Sequence, residues 1–289
     1  MQKVWLLSCL AVSLALPLTP PSPASAQLLD RVARSARGDR LSGRSRSRRR
    51  GGARAHPWQD HGDAAMLEAL LYPFFGPVFA TGDRWGPEWW LADHPYADGV
   101  DGYAVYLPVD GSDLDAPPVQ DIAVSASAEG GYLLGDAGRS ALELRVMLPD
   151  RFEIDVRSAV LFEPRPAGTW SLAGMQTLHL GLRFAQDANW QFHVGMGARL
   201  FHDRQGAMPG FDFRYQVDVF PARPWVVSVR LSLGNLGRAL TVGGRVTIGL
   251  ALGPVEVLVG YDHLAVIDGV DHSRSVDLSG PIGGLRIWI

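Results

Sequence analysis

From Val119 to Ile289 the chain alternates apolar and polar positions with a period of two, the pattern of strands with one apolar face. One run reads Phe152, Ile154, Val156, Ser158, Val160, Phe162 against Glu153, Asp155, Arg157. Others carry Trp170 to Phe184, Trp190 to Leu200, Phe211 to Val219, Trp225 to Leu233, Leu240 to Leu250 and Val255 to Tyr261 on alternate positions. Weaker runs near 121–134 and 140–148 and a terminal run near 279–289 bring the count to about ten strands, with eight as the alternative. Many of these runs exceed the usual strand length of globular sheets and suit strands tilted across a bilayer.

The second face decides what the first one meets. It holds small residues mixed with charges of both signs: Ser171, Ala173, Thr177, His179 and Gly181, and the set Glu153, Asp155, Arg157, Arg199, Asp212, Arg214, Asp218, Arg230, Arg245 and Glu256. Such a face fits a narrow polar lumen while the apolar series meets lipid. The expected fold is therefore all-β: an antiparallel transmembrane β-barrel over 119–289, its charges bracing and plugging the interior. A lipocalin-like soluble periplasmic barrel would reverse this polarity, and a β-sandwich is the other soluble alternative.

The connections add a second signal. Short links fall at Pro149–Arg151, Ala185–Asn189, Pro221–Pro224 and Leu252–Pro254, and the alternate links Gly135–Arg139, Glu163–Thr169, His202–Gly210, Asn235–Ala239 and His263–Ser279 include all the long ones. Outer-membrane barrels carry short turns in the periplasm and long loops outside. Trp190, Trp225 and Trp288 fall on the short-turn side and Trp170 on the other, as aromatic girdles do. Together with Leu285, Ile287 and Ile289 alternating to the last residue, these features make 119–289 resemble small Gram-negative outer-membrane β-barrels as a class. The resemblance implies insertion by the barrel assembly machinery and outer-membrane lipid as the surrounding partner; the periplasm is the alternative location. The terminal strand departs from the class in ending on Ile289 where Phe is usual.

Upstream, composition changes three times. Lys3, the apolar stretch Val4–Leu18 and Ala24-Ser25-Ala26 before Gln27 read as a cleavable signal peptide over 1–26. The lone cysteine, Cys9, lies within it, so no disulfide or cysteine metal site is expected after cleavage. Residues 27–57 read as a disordered Arg-rich linker: ten Arg against Asp30 and Asp39 give Asp30–Arg54 a charge of +8. Behind a signal peptide its expected contact is anionic lipid, not nucleic acid. Residues 58–118 read as an acidic aromatic module of charge −10, with a short amphipathic helix over Asp63–Phe75 and Trp85, Trp89 and Trp90 beyond it. Asp98 and Asp101, with Asp110, Asp113 and Asp115, offer oxygen ligands for calcium, but Asp-Gly pairs are more commonly turns.

No motif specifies a reaction. His202, Asp203, Asp262, His263, Asp271, His272 and Ser273 map to the long-loop rim, where outer-membrane lipid hydrolases and proteases place their catalytic groups, but no G-x-S-x-G or comparable signature accompanies them. His179 and His193 are weak metal candidates, more simply read as hydrogen-bonded interior groups. The sequence supports a non-enzymatic structural, envelope or interaction barrel without cofactor, with a small pore, a soluble binding barrel or a rim hydrolase as alternatives.

Overall fold

The computed structural model describes residues 28–37, 62–83, 89–107, 119–134, 137–165, 168–268 and 275–289. The expected signal peptide 1–26, the part of the expected linker beyond residue 37, Asp110, Asp113, Asp115, and the Asp271-His272-Ser273 rim candidates lie outside them.

Ten antiparallel strands close into a barrel: β4 (Ala123–Leu133), β5 (Ala137–Met147), β6 (Phe152–Pro164), β7 (Trp170–Gln186), β8 (Trp190–Asp203), β9 (Gly206–Ala222), β10 (Trp225–Leu236), β11 (Ala239–Leu252), β12 (Val255–Ile267) and β14 (Gly280–Trp288). Closure is made by β14, which pairs β12 through Val257↔Leu285 and β4 through Leu285↔Ala128, so no ladder edge is left open in the wall. A two-residue strand, β13 (Val276–Asp277), leans on β12 at the rim. Strands reach 17 residues in β7 and β9, and the expected links at 202–210 and 235–239 are mostly strand. Only Arg204-Gln205 and Gly237-Arg238 remain there as turns. Link-length asymmetry consequently rests on 165–169 and 268–275, and the mouth that carries them is called upper here.

The polarity matches the expectation and is the reverse of a soluble binding barrel. Leu180 is 63% exposed, Val259 62% and Met196 60%, whereas Arg214 in the opposite phase is 1% exposed. Trp170 at the upper rim and Trp190 and Trp225 at the lower rim face outward. Trp288 does not belong to that girdle. It stands in the lumen phase, 5% exposed, because β14 turns Ile287 outward and Trp288 inward.

Both mouths are closed by the chain's own N-terminal segments. The upper closure corrects the disordered-linker expectation: Leu28–Arg37 is a helix, α1, with Leu28, Leu29, Val32, Ala33 and Ala36 buried. Those residues recur at helical spacing and form an apolar stripe that the flanking arginines obscure in a compositional reading. The lower closure is a cap in which β1 (Trp89–Ala92) pairs β2 (Ala104–Tyr106) and β3 (Val119–Gln120).

The helix before the cap also departs from expectation. It runs over Gly62–Thr81 as α2, continuing through Pro73 and Pro77 instead of stopping there. Pro77 has no N–H to give the Pro73 carbonyl four residues back. That carbonyl instead accepts from the Tyr215 hydroxyl on the outer barrel wall, at 2.8 Å. Phe74 packs between Phe184 and Tyr215, with ring centroids 5.9 and 6.0 Å away. The helix is thus not amphipathic toward water: it lies on the apolar wall with Tyr72, Phe75 and Phe79 exposed. No described helix is long and apolar enough to cross a membrane by itself.

Two outcomes follow. Val259→Arg, on the outward face, should cost about 2–4 kcal/mol of barrel stability in lipid, read by urea unfolding in vesicles; a neutral result would remove the lipid-facing assignment. Tyr215→Phe should strip the Pro73 carbonyl of its donor at a cost of about 1–3 kcal/mol, seen as faster amide exchange in α2 with the barrel strands unchanged.

Candidate functional site: the lumen and its two closures

Inward positions change character along the barrel axis. At the upper end they are apolar: Leu133, Ala137, Leu161, Phe201, Leu236 and Leu264 form a collar that receives the buried stripe of α1. At the lower end Ala123, Met147, Phe220, Val226, Ala251 and Trp288 do the same for the cap. Between them lies the charged core.

All ten residues expected in the lumen network are there, joined by Glu129, Arg139, Glu143, Arg145, Arg183, Asp262 and Arg286. Arg214 bridges Glu153 and Asp155 at 2.6 and 2.8 Å. Arg199 holds Asp212 at 2.6 Å, Arg145 holds Asp218 at 3.1 Å and Arg286 holds Glu256 at 3.0 Å. Arg230 pairs with Glu143, Arg245 with Glu129 and Arg139 with Asp262, and Arg157 reaches both Glu129 and Asp262 at 3.1 and 3.4 Å. Seven of the seventeen lay outside the expected network: Glu129, Arg139, Glu143 and Arg145 because weak runs near 121–148 left the inward phase of β4 and β5 unread, Asp262 because it was read as a rim group, and Arg183 and Arg286 on the inward faces of β7 and β14. The phase of β4 and β5 was legible as Ser125, Ser127, Glu129 and Arg139, Ala141, Glu143, Arg145.

The two core histidines are not brought together. His179 lies opposite Gly197 and His193 opposite Arg183, four residues or about 13 Å apart along the strands at ~3.3 Å per residue. Each imidazole sits between two carboxylates. His179 Nε2 meets Asp212 at 2.8 Å with Asp155 at 3.8 Å from Nδ1; His193 meets Glu153 at 2.8 Å and Asp218 at 3.2 Å. Every one of those carboxylates is also paired with an arginine, so the arrangement serves charge balance. Among the described residues no group of three His, Cys, Asp or Glu side chains is placed to hold a metal ion. Asp98 and Asp101 are exposed on the cap's turn, where the Asp101 carbonyl accepts from Asn189 Nδ2 at 3.3 Å.

The rim candidates disperse likewise. His202 points outward and bonds Gln176 at 3.0 Å, while Asp203 points inward to Arg37 of α1 at 2.6 Å. Neighbours on a strand face opposite ways, so the pair is divided by the wall. Asp262 belongs to the arginine network, and His263 projects to the rim. There His263 Nδ1 lies 2.6 Å from Ser279 Oγ and 3.2 Å from Asp277, and the Ser279 hydroxyl donates to Asp277. Ser279 was not among the sequence candidates. A nucleophile relay needs the hydroxyl on one ring nitrogen and the acid on the other. Here both crowd Nδ1 and the hydroxyl proton goes to the acid, an arrangement that holds the β13–β14 link against β12 and does not prime Ser279.

The closures are built as carefully as the core. The Glu163 carboxylate accepts the Leu28 and Leu29 N–H groups at 2.9 and 3.2 Å, capping the start of α1. At its other end Arg238 N–H donates to the Ala36 carbonyl at 2.9 Å. Gly237 makes that approach with φ +57°, and a Cβ there would stand 2.3 Å from the Ala36 oxygen. Below, Tyr103 packs on Trp288 and Phe220 at centroid distances of 4.8 and 5.5 Å. Complete burial pushes its phenol well above the ordinary tyrosine range, so the hydroxyl stays a neutral donor. Tyr96 Oη donates to the Trp225 carbonyl at 2.6 Å, and Asp83 takes Arg151 with both oxygens. A cavity of about 70 Å³ between collar and core, touched by Met175, His179, Arg199 and Asp262, has room for a few waters.

No family model and no curated protein matches the chain. Among solved structures it is similar to the beta domain of the Bordetella autotransporter BrkA, with a TM-score of 0.31 and 10% identity over 58% of this chain and 98% of that one. It is also similar to an outer membrane channel from Pseudomonas putida F1, with a TM-score of 0.32 and 11% identity over 63% and 99%. The barrel itself rests on the strand pairings above.

Removing one partner from the core should expose its cost. Arg214→Met leaves Glu153 and Asp155 short of their shared cation and should destabilise the barrel by about 3–5 kcal/mol. Adding Glu153→Gln and Asp155→Asn should recover part of that loss in equilibrium unfolding.

Proposed function

We propose that the protein is a sealed outer-membrane barrel with a structural or interaction role in the cell envelope, exported by its signal peptide and inserted by the barrel assembly machinery. The observation that carries this reading is the combination of an apolar outer wall with a lumen filled by paired charges and closed at both ends. A conducting pore needs a continuous wet path with binding weak enough to release its ions. Here opposed guanidinium and carboxylate groups span the lumen. In this reading the upper mouth, with α1, faces outside, and the lower mouth and cap face the periplasm. The Arg-rich tract that follows α1 would then meet the phosphates of anionic lipid. No catalysis, cofactor or nucleic acid enters the reading.

The test is fractionation with heat-modifiable gel mobility, followed by planar-bilayer recording of the native protein. The expected result is an outer-membrane band that shifts on boiling and gives no steady conductance. Recovery in the soluble periplasmic fraction would overturn the location, and steady ion current would overturn the sealed lumen.

A further inference from the structure

Among the described residues, the core sets nine guanidinium groups against eight carboxylates, and of the nine only Arg183 has no carboxylate within 4.0 Å. It is 4% exposed. Its Nη1 donates to Gln186 Oε1 and its Nη2 to the Leu148 carbonyl, both at a long 3.4 Å, while Nε has no acceptor. The carboxylates nearest this corner are committed elsewhere: Asp83 to Arg151 and the Gln186 N–H, Glu153 to His193 and Arg214, Asp218 to Arg145 and Gln216.

The unmet groups around Arg183 are donors. Gln186 Nε2, Gln191 Nε2 and Tyr103 Oη are all buried without partners. They arrive from three elements. A bulge in β7 between Arg183 and Ala185 brings Arg183 and Gln186 onto the same inward face, three residues apart. Gln191 of β8 is the direct cross-strand neighbour of Gln186. Tyr103 rises from the cap, and Arg183 is the cation that acts on its hydroxyl most strongly. A buried charge without a counter-charge is costly, and donors without acceptors add to that cost. Water could accept from some of these donors, but it leaves the guanidinium uncompensated.

We propose that the lower lumen, just above the cap, holds a small monovalent anion of chloride's class against Arg183, with Gln186, Gln191 and Tyr103 completing its donor shell. The ion supplies the ninth negative charge of the core and bonds the cap to β7 and β8. The site follows from the charge count and the bulge and does not depend on where in the cell the barrel resides.

The test uses the full processed chain, folded in detergent. Thermal unfolding is compared in chloride and in gluconate at equal ionic strength, and crystals soaked in bromide are examined for anomalous scattering. The wild type should melt higher in chloride and show a bromide peak within hydrogen-bond reach of Arg183 Nε. Gln186→Glu supplies the missing carboxylate in place, so it should fold, melt alike in both salts and lose the peak. Gln191→Leu removes one donor and should weaken bromide binding about tenfold. Equal melting of the wild type in the two salts, a water in place of bromide, or a Gln186→Glu variant that keeps the wild-type chloride response would each overturn the proposal. Should Gln186→Glu fail to fold, undiminished bromide occupancy in Gln191→Leu would do the same.

Discussion

A strand wall that turns its apolar residues outward has to place its polar residues inward, and ten strands leave an interior little wider than the side chains that fill it. That constraint governs the molecule. Each inward charge must find its partner across the lumen, since water is too scarce there to solvate it. Arg214 reaches from β9 to Glu153 and Asp155 on β6, and Arg245 reaches from β11 to Glu129 on β4. These pairs are far apart in sequence and meet only when the barrel has closed. The charged core therefore acts as a register check: a one-residue slip in any strand would send its charges into the apolar surroundings and its apolar residues into the core.

The same constraint explains why the sequence revealed the wall and not its closures. Strand identity, the inward phase and ten of the network residues follow from period-two alternation, which depends only on neighbours along the chain. The closures follow from a subtler change. At the strand ends the inward positions themselves turn apolar, as at Leu133, Leu161, Phe201, Leu236 and Leu264 above and Met147, Phe220 and Val226 below. Read with the outward series, these ends look like uniformly apolar tips, and the alternation hides that an inward Leu needs a cover. Leu28, Leu29, Val32 and Ala36 are that cover, but their helical spacing adjoins an arginine tract that dominates any compositional window. Trp288 was misplaced for a related reason: its residue type suits a rim girdle, and only its phase relative to Ile287 sends it inward.

Rim chemistry was the least legible part. His-Asp adjacency in sequence suggests a catalytic pair, yet on a strand adjacency guarantees separation by the wall, as His202 and Asp203 show. The contact that does form, His263 with Ser279, joins residues sixteen apart through the pairing of a rim strand. No local pattern announces such a pairing, and its hydrogen-bond directions suit bracing more than base catalysis.

α1 and the cap seal opposite mouths, and α2 on the outer wall lies on the chain's route between them. The Pro73 carbonyl shows how that route is held. A helix with two prolines has unmet backbone groups, and an apolar wall offers few donors to meet them. Tyr215 supplies one with an apolar ring and a polar tip, packing on Phe74 while its hydroxyl reaches the carbonyl. Because Tyr215 is an outward residue of β9, docking of α2 presupposes the finished sheet. The cap likewise rests on Phe220 and Trp288, near the ends of β9 and β14, and α1 on side chains from several strands at once. Neither closure has a seat before the strands meet, so the order of dependence runs from the wall to its charged core and then to the two seals.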